Sequence, residues 1–128
     1  MSAAIPRTAG AVLAILGASA VALGAFGAHA LRGTLSPSQM DIWRTAVQYH
    51  FWHTLAFALA AMMPARARAA HWATWLFGLG VVLFCGSLYA LALGAPDWIG
   101  AITPVGGVCF IMGWIGLGIA CAKSLGCG

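Results

Sequence analysis

Four apolar runs, each close to the length needed to cross a lipid bilayer, leave this chain few ways to fold. A spanning helix needs about 20 mostly apolar residues. The runs cover roughly residues 9–31, 40–63, 71–94 and 103–122. None shows the alternation of polar and apolar side chains over about ten residues that a barrel strand needs. Unpaired backbone is too costly in hydrocarbon for any third arrangement. The prediction is an all-α fold, an integral membrane four-helix bundle, forming a single domain over residues 1–128.

Composition agrees with that reading. Of the 128 residues, 62% are hydrophobic, and only six are Lys or Arg and two Asp or Glu. A soluble domain carries roughly a quarter charged residues, so lipids are the expected partner. The net charge of +4 does not point to nucleic acid, because the basic residues are scattered singly or in pairs and form no stripe. They set orientation instead. With four spans, Arg7, Arg66, Arg68 and Lys123 share one side and Arg32 and Arg44 the other, which predicts that both termini lie in the cytoplasm. Arg7, the first apolar run and Ala28-His29-Ala30 resemble a secretory signal ending in A-x-A. That run is longer than a usual signal core, and we read it as a retained span.

The connectors carry helix punctuation. Ser36-Pro37 and Thr103-Pro104 each read as a cap followed by proline at the first helical position. Pro64 to Ala70 separates the second helix from the third, and Gly94 to Asp97 closes the third. Small residues should supply the packing, because lipid gives little hydrophobic drive between helices. Gly17, Ala20, Gly24 and Gly27 share a stripe of the first helix, and Gly106, Gly113, Gly116 and Ala120 one of the fourth. Gly107 neighbours the latter, and Gly78, Gly80 and Gly86 lie on the third.

Inside a membrane the polar side chains are the informative ones. His29, Arg44, Gln48, Tyr49, His53, Ser87, Tyr89 and Thr103 all fall toward the extracytoplasmic half, judged from ~1.5 Å of rise per helical residue. On the second helix, Asp41, Arg44, Thr45, Gln48, Tyr49, Trp52 and His53 occupy little more than half the circumference. This half is expected to face the bundle interior and meet His29, Tyr89 and Thr103. His50 falls on the side opposite Asp41 and either faces another neighbour or is the exception to this arrangement. Asp41 and Arg44 suit an i,i+3 ion pair at the interface.

Sharper chemistry finds no support. The four cysteines, Cys85, Cys109, Cys121 and Cys127, form no CxxC or CxxH pair for zinc, and read as small hydrophobes. A haem would need two histidines at matched depth, whereas His29 and His53 differ by roughly 15 Å. Copper ligands do not cluster, and the only acids lie at interfaces, far from any Ser-His pair. No cofactor, no metal and no enzymatic activity is expected.

Four motifs in order carry a resemblance to a known family. They are Gly24-Ala-Phe-Gly-Ala-His-Ala-Leu31, Tyr49-x-x-x-His53-Thr-Leu-Ala56, Leu83-Phe-x-Gly86-Ser-Leu-Tyr89, and Ile102-Thr-Pro-Val-Gly-Gly107 with Gly113-Trp114. Together they resemble the domain of unknown function 423 family. It is also called uncharacterised protein family 0382 and includes transmembrane protein 256. The resemblance implies a multi-pass protein of the cell (inner or plasma) membrane and supplies no assigned activity or catalytic residue. The expected role is a non-enzymatic accessory or structural membrane protein, as a homo-oligomer or within a larger membrane complex. The alternative is an oligomeric small-molecule or ion transporter or ligand-binding protein that uses the polar cluster as its site.

Overall fold

Local sequence decides where each helix begins and ends. The computed structural model describes residues 5–126, and these form four long helices; Cys127 lies outside them. The first, α1 (Arg7–His29), starts directly after Pro6. The second, α2 (Pro37–Ala61), opens on a reciprocal cap. The Gln39 backbone N–H donates to Ser36 Oγ at 3.2 Å, and the Ser36 N–H donates to Gln39 Oε1 at 2.9 Å. Pro37 fits the first position because that N–H would have no helical partner. The third, α3 (Arg68–Ala92), stops at Gly94. There a φ of +95° lets the Ala95 N–H reach back to the Ala90 carbonyl at 3.0 Å.

The fourth helix corrects one expectation. A 3-10 turn, Asp97–Ala101, runs straight into α4 (Ile102–Leu125). Thr103 therefore lies inside the first turn and does not cap it. The preceding turn already supplies that end with backbone geometry, and the missing N–H of Pro104 is harmless so early in a helix.

Packing runs in sequence order. α1 packs on α2, α2 on α3, and α3 most extensively on α4, while α2 and α4 touch over a short stretch. The contacts are aromatic rings seated in glycine gaps. A Cβ added at Gly113 would lie 2.8 Å from the Phe77 ring, one at Gly80 2.5 Å from Phe110, and one at Gly116 2.6 Å from Trp72. Gly27 is covered by the Trp43 indole, and Gly106 by the backbone of Phe84. Phe84 belongs to a π-helical turn, Val81–Cys85, that interrupts α3. Such close approach gathers the dispersion contacts that must hold helices together in lipid.

Not every expected packing glycine does this. Gly24 and Gly107 would meet neighbours at ordinary van der Waals distance, and Gly17 and Gly86 face open space. Spacing along one helix cannot tell which glycine has an aromatic ring opposite it.

Large aliphatic side chains cover the outside. Ile15 is 67% exposed, Leu55 64%, Val82 65% and Ile111 60%. In water such a surface would drive aggregation. Three helices, α1, α3 and the segment Asp97–Leu125, are long and apolar enough to cross a membrane. α2 is equally long but more polar, and it is the helix with neighbours on the most sides.

The glycine contacts give a contrast that can be measured. Gly113→Leu is expected to destabilise the bundle by about 2 kcal/mol or more, because the Phe77 ring has nowhere to move. Gly86→Ala should be neutral or stabilising by up to about 1 kcal/mol, the helix-propensity gain of a site with open space. Thermal unfolding in detergent reads both. Equal losses would show that the glycines act through backbone flexibility and not through close packing.

Candidate functional site

The inward face of α2 is set by Trp43, Ala46, His50, His53, Phe57 and Ala60, which recur at helical spacing and are all buried. This overturns the expected orientation. Asp41, Arg44, Thr45, Gln48 and Trp52 lie on the exposed side. Large rings and small residues mesh with the glycine gaps of α1 and α3, and that shape match fixes the helix rotation. Asp41 lies in the first turns of α2, and the long Arg44 side chain loses little by facing outward, because its tip can reach the interface.

His50, on the side of α2 opposite Asp41, faces other neighbours and lies at the centre of the interior. Ser19 on α1 has one hydroxyl proton and donates it to the Leu16 carbonyl at 3.1 Å. Its oxygen therefore accepts from His50 Nε2–H at 3.3 Å. With its proton on Nε2, the ring accepts at Nδ1 from the Tyr89 hydroxyl on α3 at 3.0 Å. One directed chain thus joins three helices. This tautomer is assigned by the network of partners. The Tyr89 ring also packs against Trp43, with centroids 4.7 Å apart, and the Trp43 indole N–H donates to the Leu23 carbonyl of α1 at 3.1 Å.

His53 forms a second closed set. Its Nδ1–H donates to the Tyr49 carbonyl at 2.7 Å, and its Nε2 accepts from the Trp114 indole N–H of α4 at 3.1 Å. The ring lies flat on Phe110, with centroids 3.5 Å apart and planes 11° off parallel. Tyr49 stacks on Phe84 at 4.6 Å, so aromatic rings fill the seam between α2, α3 and α4. Beside this seam, where α2 and α4 diverge, a crevice of 700 Å³ is floored by His53 and Phe110.

A third contact fastens α3 to α4. Ser87 donates to the Phe84 carbonyl at 2.9 Å, and the Thr103 hydroxyl therefore donates to Ser87 Oγ at 2.6 Å. Among the described residues, no buried side-chain nitrogen or oxygen lacks a partner.

The single expected cluster is thus divided. Ser87 meets Thr103, Tyr89 meets His50, and Tyr49 and His53 share the aromatic seam. His29, Arg44 and Gln48 are exposed and join none of these sets. Arg44 makes the expected ion pair with Asp41, at 3.6 Å, with the two side chains 65% and 76% exposed. A separate groove of 370 Å³ between α1 and α2 has Arg32, Arg44 and Gln48 among its lining.

Sequence reasoning missed Ser19, Trp43 and Trp114. The two indoles carry a readable signal, since a tryptophan N–H buried in lipid must find an acceptor. Ser19, a lone small hydroxyl in an apolar run, is identified only by the histidine opposite.

A helical bundle with an aliphatic exterior and its interior polar groups closed on one another is an integral membrane protein. The family profile described as "Protein of unknown function (DUF423)" matches residues 23–107. The UPF0382 membrane protein SERP0230 of Staphylococcus epidermidis is 46% identical over 120 residues, covering 90% of this chain and 98% of that relative. The UPF0382 membrane protein YwdK of Bacillus subtilis is 43% identical over 119 residues, covering 91% of this chain and 94% of that relative. The chain belongs to this family of membrane proteins of unknown function. No solved structure gives a significant match.

The interior contacts can be tested by a thermodynamic cycle. His50→Leu orphans the Tyr89 hydroxyl and should cost about 1–3 kcal/mol. Tyr89→Phe should cost less once His50 is already leucine, with a coupling energy of about 0.5–1.5 kcal/mol. Unfolding of the four variants in detergent gives the coupling directly. Additive losses would mean that the two side chains do not share a bond of consequence.

Proposed function

We propose that the protein is a non-enzymatic accessory or structural subunit of the membrane, crossing it four times with both termini in the cytoplasm. The observation that carries this reading is the closure of the interior polar contacts. Both imidazoles have both ring nitrogens engaged with protein groups. Every one of these bonds ends on a group of the bundle itself, which suits imidazoles that fasten helices to one another. The contacts join α1 to α2 and α3, and α2 and α3 to α4, so they set helix register.

The same arrangement supports the proposed topology. α2 is too polar to stand alone in lipid, and α1, α3 and α4 supply the partners of its histidines. The basic loop with Arg66 and Arg68 favours the cytoplasmic side over the end that carries Arg32 and Arg44. In a cysteine-free background, Ser38→Cys should react with an impermeant maleimide applied to intact cells, and Ala65→Cys should react only after lysis. Labelling of both from outside would refute the four-span arrangement.

The accessory role has its own measurement. In mild-detergent extracts of native membranes, the chain should run within an assembly containing other protein chains. Recovery as a free monomer at native abundance would refute it.

A further inference from the structure

The groove between α1 and α2 belongs to none of the closed hydrogen-bonded sets, and its lining is chemically ordered from rim to floor. Arg32 and Arg44 stand at the mouth. Ala28 of α1 with Met40, Trp43 and Val47 of α2 forms an apolar wall, and Gln48 lies one helical turn further along α2 than Arg44, a step of ~6 Å. We propose that this groove is a binding site for a single anionic phospholipid. Its phosphate sits between the two guanidinium groups, its ester carbonyl accepts from the Gln48 amide, and an acyl chain lies along the apolar wall of Ala28, Trp43 and Val47.

Charge selects this occupant. The rim carries two fixed positive charges against one acid, Asp41, which leaves it net cationic. The Asp41 contact to Arg44 is a single long one between exposed side chains, and such pairs contribute little. Most of the Arg44 N–H donors remain available. Among the described residues, none hydrogen-bonds the Gln48 amide, although it stands well below the Ser36 end of α2. An amide facing hydrocarbon without a partner is costly. A phospholipid has the matching vertical order: phosphate at the headgroup level, ester carbonyls about one such step deeper, and hydrocarbon below. A free anion would satisfy the arginines and leave the amide and the apolar wall without partners. The inference is independent of whether the bundle serves a larger assembly, since it needs only α1 and α2 side by side in the membrane.

The test is native mass spectrometry of the delipidated full-length protein, titrated with dioleoyl phosphatidylglycerol or dioleoyl phosphatidylcholine. A one-to-one adduct should form with phosphatidylglycerol at about tenfold lower lipid concentration than with phosphatidylcholine. Arg32→Gln and Arg44→Gln should each weaken the phosphatidylglycerol adduct about tenfold, the usual effect of losing one charge-assisted contact. Arg66→Gln, at the opposite end of the bundle, should leave it unchanged. Ala28→Phe fills the groove from an exposed position without removing a charge, so it should abolish the adduct while thermal unfolding stays at the wild-type temperature. Equal binding of the two lipids would overturn the proposal, as would an equal loss in Arg66→Gln or retention of the adduct in Ala28→Phe. Displacement of the lipid by millimolar inorganic phosphate would assign the site to a free anion instead. A protein dimer lost in Arg44→Gln would assign the groove to a second copy of the chain.

Discussion

An imidazole near the middle of a membrane bundle is tolerable only if both of its nitrogens are satisfied by neighbours. His50 meets that condition through two other helices at once: Ser19 of α1 accepts from one nitrogen and Tyr89 of α3 donates to the other. Either bond alone would leave a polar atom buried without a partner, and in hydrocarbon no water can take the vacant place. The positions of α1 and α3 around α2 are therefore not independent. A rotation of either helix that preserved its apolar packing would still break the chain at His50. The same logic holds on the other side of α2, where His53 needs the Trp114 indole of α4.

Shape brings those partners within reach. Phe57, Phe77 and Phe110 each lie over a glycine of a neighbouring helix, so backbones approach more closely than any other residue would permit. Hydrogen bonds have a narrow distance range. The serine-to-histidine and indole-to-histidine contacts form because the glycine gaps bring the helices near enough for short side chains to meet. Dispersion packing sets the separation, and the polar contacts then choose the register. Each is insufficient alone: glycine gaps recur at several offsets along α4, and a hydrogen bond cannot hold helices apart from packing.

How much of this could be read from the sequence depends on which physical rule was in force. The four helices were legible because run length and backbone satisfaction in lipid depend on each segment alone. The cap at Ser36 was legible for the same reason, since Gln39 lies three residues away. The rotation of α2 was not. A polarity criterion turns Asp41, Arg44 and Gln48 inward, but the inward face follows from complementarity between Trp43, His50 and Phe57 and the gaps on other helices. That information is shared between segments distant in the chain. Gly86 and Gly106 illustrate the point: both are glycines in apolar helices, yet only Gly106 has another backbone against it.

The two kinds of polar group on α2 therefore answer different needs. His50, His53 and Thr54 face inward, and every bond they make ends within the protein. Arg44 and Gln48 face outward and find, among the described residues, only the weak Asp41 contact. In a soluble protein the outward set would need no explanation, because water would serve it. In a bilayer, polar groups below the interface must be met by something that is itself in the membrane. The inward set fixes the structure of α2, and that fixed structure in turn holds the outward set at the groove against α1. A substitution at His50 that loosened the bundle would thus also disperse the groups at the rim, whereas a substitution at Arg44 would leave the interior intact. The direction of this dependence follows from the geometry, since the interior bonds involve none of the groove's charged residues.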